Sequence, residues 1–174
     1  KGDFGVSYSK KVPVIDLVSE AIVPTFQLGL FSFLILLLTA PILGIISAVN
    51  KNSFIDYIVQ ALSYTGVSVP TFWLGYILII IFAVSLKILP VSERGGLENL
   101  ILPCITLVTP LVAQTTFLIR KSILEQMEKP HVENAVIREV SRKKVIINHL
   151  LRNAAIPIVT VLSSNIMFLL TGSV

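Results

Sequence analysis

The sequence predicts an all-α, polytopic transmembrane helical bundle, with residues 1–174 forming part of one membrane domain. Three observations carry this expectation. Hydrophobic residues make up 54% of the chain and charged residues 14%, with a mean hydropathy of +0.86; a soluble domain carries about 25% charged residues. The apolar residues come in long blocks, and 21–50, 57–86, 99–119 and 153–174 contain no Asp, Glu, Lys or Arg. Each block reaches the roughly 20 residues needed to cross a hydrocarbon core of about 30 Å. Finally, backbone amides in lipid must be bonded within their own segment, so each block reads as a helix. A barrel would need short alternating strands, and the run Leu34, Ile35, Leu36, Leu37, Leu38 does not alternate.

Charge orients the bundle. Eight of the fourteen basic residues lie between Arg120 and Arg152. Lys and Arg accumulate in short cytoplasmic loops, so the 120–152 loop is placed inside. Alternation then puts 1–20 outside, the 51–56 turn inside and 87–98 outside. Lys10, Lys11, Lys87 and Arg94 run against the rule but are outweighed by the cluster.

The first segment, 1–20, is polar and leads into an amphipathic helical start. Pro24 suits the first turn of the helix that follows, where its missing N–H costs nothing. Pro41 and Gly44 fall inside that helix and are candidate kinks. The second block is long for one crossing and holds Ser68, Val69, Pro70 and Thr71 at its middle. Proline disfavours helix for the residue before it. Either a helix break, with 72–86 as the deeper half, or a kink in one tilted helix satisfies the pattern. Trp73 and Tyr76, just past that point, are read as packing residues. Leu89, Pro90, Gly95 and Gly96 make a turn-rich outer loop. Pro103 opens the third block and Pro110 lies deeper within it.

The 122–152 stretch is charged, yet its apolar residues recur at helical spacing. Val132, Ala135, Val136 and Val140 share one face, and Val145, Ile146, His149, Leu150 and Asn153 share another. Two short amphipathic helices are expected, the second capped by Ser141. Such a helix below a membrane bundle suits docking of a soluble partner in a groove. Glu125, Glu128, Glu133 and Glu139 disfavour adhesion to anionic lipid instead.

Catalytic chemistry is hard to find. There is no G-x-x-x-x-G-K-[ST] phosphate loop and no H-E-x-x-H. His131 and His149 stand apart in a basic loop and read as structural or solvated. Cys104, the single cysteine, reads as a buried thiol. The net charge of +4 reflects membrane topology and not nucleic-acid binding. The apolar blocks carry Gln27, Gln60, Gln114, Thr115, Thr116 and Asn165, which could line a passage or bond between helices. Pro70, Gln114 and Asn165 are the candidates for a helix break or passage. The blocks show neither a mid-membrane Asp, Glu, Lys or Arg nor a pore-lining ring, which argues against a channel or secondary carrier.

The inner loop reads HVENAVIREVS over 131–141 and VIINHLLRNAAIP over 145–157. This resembles the signature loop of binding-protein-dependent ABC importer permeases, the branch that imports dipeptides, oligopeptides and nickel. The ending H-x-L-R-N-A-x-x-P is similar to that branch in particular. The segments GDFGVS (2–7), SVPTFWLG (68–75), ILPVS (88–92) and ILP (101–103) are similar to its outer segment, third helix, following loop and next helix.

The resemblance implies a permease of the ABC type I importer kind, with one helix upstream of Lys1 and another beyond Val174. It implies two cytosolic ABC ATPase subunits, a second permease subunit, an external substrate-binding protein and surrounding membrane lipid. No cofactor belongs to this chain, since ATP and Mg would sit on the ATPases, and the chain itself is expected to be no enzyme. The site would be the multi-pass cytoplasmic membrane of a prokaryote. The ATPase-coupling residues would be His131, Val132, Glu133, Asn134, Ala135, Val136, Arg138, Glu139, Val140 and Ser141. Two positions depart from the family pattern, which has glycine where Glu139 stands and alanine where Asn134 stands. Glycine allows positive φ, a conformation costing a non-glycine residue about 1–2 kcal/mol. The turn between the short helices would then be remade or the coupling altered. The substrate class is peptide, with nickel as the alternative.

Overall fold

The computed structural model describes residues 4–90, 96–130, 132 and 144–171. The elements run α1 (Val14–Val49), α2 (Phe54–Ser68), α3 (Thr71–Leu78) with a π-helical continuation (Ile79–Ser85), α4 (Glu98–Met127), a second π-helical stretch (Val145–Leu151) and α5 (Arg152–Thr171). The described residues form no strand, and only an isolated bridge joins Val6 to Pro13.

Three helices, α1, α4 and α5, are long and apolar enough to cross a membrane, and the α2–α3 pair makes a fourth if it counts as one span. At 1.5 Å per residue, α1 with 36 residues is about 54 Å long and α4 with 30 about 45 Å. Both exceed a hydrocarbon core of about 30 Å, so they tilt or project beyond it. Large apolar side chains such as Leu38, Leu62 and Val159 are exposed, as a lipid-facing surface requires.

α4 is the centre of the bundle and touches α1, α2, α3, α5 and the second π stretch. The core draws on Leu36, Ala40 and Ala48 of α1, Val108, Leu111, Ile119 and Ile123 of α4, and Ala154 and Leu169 of α5. Two glycines let α4 come close. A Cβ on Gly44 would lie 2.7 Å from Ile119 Cγ2, and one on Gly66 would lie 2.8 Å from Ala113 Cβ. Small residues allow this approach, and in lipid such packing replaces the hydrophobic drive as the source of helix association. Tyr64 and Phe117 add a tilted ring contact between α2 and α4, with centroids 6.0 Å apart.

The middle of the second block is a break and not a gentle kink. α2 ends at Ser68, Pro70 takes an extended conformation before Thr71, and the two limbs are bent by 103°. Proline supplies no N–H to continue the ladder and holds Val69 out of the helical region.

Several expectations are corrected. α1 begins at Val14, so Pro24 lies in the helix interior and not in its first turn. The last part of the polar first segment, from Val14 on, and the first apolar block are one helix, with Pro13 at the N-cap position and Asp16 in the first turn. Pro103 likewise sits within α4, which starts at Glu98. Residues 120–127, expected to open the inner loop, continue α4 to Met127. Trp73 and Tyr76, read as packing residues, are only partly covered within this chain, at 50% and 66% exposed, and α3 comes close to α4 at Gly75 and Thr106.

Candidate functional site

The end of the bundle that carries the α1–α2 turn is built around one carboxylate. Ser53 caps α2, its Oγ accepting from the Asp56 N–H at 3.2 Å. That places Asp56 in the first turn of the helix, where negative charge is favoured. Asn52 adopts φ +63°, a conformation asparagine tolerates. In this turn its N–H donates to Asp56 Oδ2 at 2.9 Å. From α1, Ser47 Oγ donates to Asp56 Oδ1.

Arg120 completes the cluster from α4. Its Nε donates to Asp56 Oδ1 and its Nη2 to Oδ2, both at 2.8 Å. This is the two-pronged guanidinium–carboxylate geometry that gives strong, directional bonds. Asp56 is 0% exposed and the Arg120 side chain 15%. Two bonds reach each carboxylate oxygen, so the buried charge is fully satisfied. Removing one partner from such a pair costs about 3–5 kcal/mol, because the other charge stays buried and unpaired.

Below Arg120, α4 continues to Met127 and turns at Glu128 and Lys129. Val132 follows, its N–H donating to the Lys129 carbonyl, and its side chain is buried in the core. His131, Glu133, Asn134, Ala135, Val136, Arg138, Glu139, Val140 and Ser141 lie outside the described residues. Lys144 precedes the second π-helical stretch, in which Val145 and Leu150 are buried and Ile146 is half-buried. Asn153, assigned to the same face, is exposed. In a π helix the i→i+5 bond stacks residues five apart, which puts Val145 and Leu150 together.

The polar residues of the apolar blocks divide. Asn165 on α5 donates from Nδ2 to Thr115 Oγ1 on α4 at 2.9 Å, an interhelical bond. Gln114 is exposed on α4, and Pro70 is exposed at the α2–α3 break. None of the three lines the groove of about 380 Å³ between α1, α2 and α4. That groove is bounded by apolar side chains such as Leu43, Leu62 and Val112, with Thr39, Ser63, Thr109 and Thr116 among them. Thr39 and Thr109 donate back to carbonyls of their own helices. Cys104 is 3% exposed, as expected of a packed thiol.

The Asp56–Arg120 pair was missed in the sequence. Its partners stand 64 positions apart, each just beyond the end of an apolar block. A local signal existed: Ser53-x-x-Asp56 is a capping pattern, and it marks Asp56 as a helix-start residue held in place by its own turn.

Residues 40–174 match the family described as binding-protein-dependent transport system inner membrane component, and the chain belongs to it. Its all-α membrane bundle is accordingly of the ABC type I importer permease kind. Among similar proteins, the dipeptide transport system permease protein DppB of Bacillus subtilis is 33% identical over 98% of this chain and 56% of its own length. A probable peptide ABC transporter permease of Sinorhizobium fredii is 31% identical over 100% of the chain and 58% of its own length. The glutathione transport system permease protein GsiC of Escherichia coli is 33% identical over 100% of the chain and 57% of its own length. The chain thus spans a little over half the length of these relatives.

Proposed function

We propose that this chain is the membrane-crossing core of a permease subunit in an ATP-driven importer of short peptides, in the cytoplasmic membrane of a prokaryote. The carrying observation is the family match over residues 40–174, made in a chain whose surface suits lipid. The named relatives transport dipeptide, peptide and glutathione, and glutathione is itself a small peptide, which favours peptide over nickel.

The permease moves substrate by alternating access and performs no chemistry. ATP and Mg are held by two cytosolic ATPase subunits. A second permease subunit completes the passage, and an external binding protein delivers the substrate. The loop that follows α4, with residues 131–141, seats against the ATPases and carries their closure into the bundle. α4 supports this role, because it runs unbroken from the bundle centre to Met127 at the start of that loop.

The test is purification of the full-length protein from its native membrane in mild detergent, followed by mass spectrometry of what accompanies it. An ATPase and a second permease are expected, both lost when residues 131–140 are replaced by a flexible linker. A solitary protein that still transports overturns the proposal.

A further inference from the structure

We propose that Asp56 and Arg120 are positioning residues for coupling: their ion pair is the link that carries movement of the loop after α4 into the α1–α2 hairpin. This rests on the importer function proposed above.

Three observations lead there. The first is position. Arg120 lies seven residues before Met127, about 10 Å along the helix from the loop. The second is connectivity. Asp56 is bonded at once to Ser47 on α1, to the Asn52 amide in the turn and, through its own N–H, to the Ser53 cap. A displacement of Arg120 therefore acts on the end of α1, the turn and the start of α2 together. The third is kind. The neighbouring α1–α4 and α2–α4 contacts, such as Gly44 on Ile119, are van der Waals packing, in which each atom pair attracts weakly and in no preferred direction. The arginine–carboxylate fork does have direction. Among the described residues it is the one ion pair joining two helices; the other, Lys121 with Glu125, lies within α4.

The pair is also buried enough to hold. Neither salt nor water competes for the Asp56 carboxylate, which has no exposed surface. A surface ion pair of the same geometry would be too weak and too screened to pass on a movement.

The test uses the complete importer in proteoliposomes, with its ATPases, second permease and binding protein, supplied with a dipeptide. ATP hydrolysis and peptide uptake are measured on the same sample, and assembly is checked by subunit ratio. In Asp56→Asn the side-chain shape is kept and the charge lost. With assembly intact, uptake per ATP hydrolysed is expected to fall about tenfold while hydrolysis persists. Arg120→Lys, which keeps charge but not the fork, should show a similar loss. Ser47→Ala removes one bond and leaves the ion pair; its expected fall is two- to threefold, and it carries the test if Asp56→Asn does not assemble. An unchanged ratio of uptake to hydrolysis overturns the proposal, whether both rates fall together or neither moves. A wild-type complex that assembles but shows no ATP-dependent uptake fails the importer function itself, and this proposal with it, before any variant is compared.

Discussion

At the scale of single residues, stability at one end of the bundle hangs on the α2 carboxylate of Asp56, whose four bonds come from α1, α4 and the turn between α1 and α2. Asp56→Ala leaves the Arg120 guanidinium facing a cavity, and a loss of about 3–5 kcal/mol is expected, read as a lowered thermal midpoint in detergent. Raising salt from low to moderate ionic strength should leave the wild-type midpoint nearly unmoved, because the pair is shielded from solvent. Asn165→Leu removes the bond to Thr115 and should cost much less, about 0.6 kcal/mol, the usual size of an interhelical bond in a membrane bundle. This scale was the least legible in the sequence. Asp56 and Arg120 each stood outside the charge-free blocks that defined the helices, so each looked like a loop charge. Pairing across 64 positions is a product of the α1–α2 hairpin packing on α4, which no local pattern encodes.

At the scale of elements, proline and glycine act in opposite senses. Pro70 ends a helix, and its effect was readable because it is local: it restricts the residue before it. Pro24, by contrast, was misplaced, since a proline tolerated in a helix interior has the same sequence neighbourhood as one at a helix start. The continuity of α1 depends instead on Pro13 and Asp16 further up the chain. Gly44 and Gly66 act through contact with α4. Gly66→Ala is expected to destabilise the bundle by about 1–3 kcal/mol through overpacking against Ala113. Ala113→Gly in the same chain should restore most of that loss, measured by a double-mutant cycle on thermal midpoints. Failure of the second change to compensate would show that the two helices do not meet there.

At the scale of the whole molecule, the apolar blocks made the helical class and its membrane setting plain, because lipid demands both long apolar runs and internal hydrogen bonding. Orientation came from charge alone and can be checked with thiol reagents that do not cross membranes. Lys51→Cys should react only when the cytoplasmic side is opened, and Ile88→Cys from outside intact cells. The native Cys104, with 3% exposure, should stay silent until the protein is denatured. The two glycine contacts have a mechanical consequence. Ile119 and Ala113 are six residues apart on α4, which at 3.6 residues per turn sets them about 120° apart around its axis. α4 is therefore keyed on two sides, like a shaft held in two slots. Spinning or sliding of α4 would unseat both keys, so they fix its rotational setting against α1 and α2, and with it the side from which Arg120 reaches Asp56.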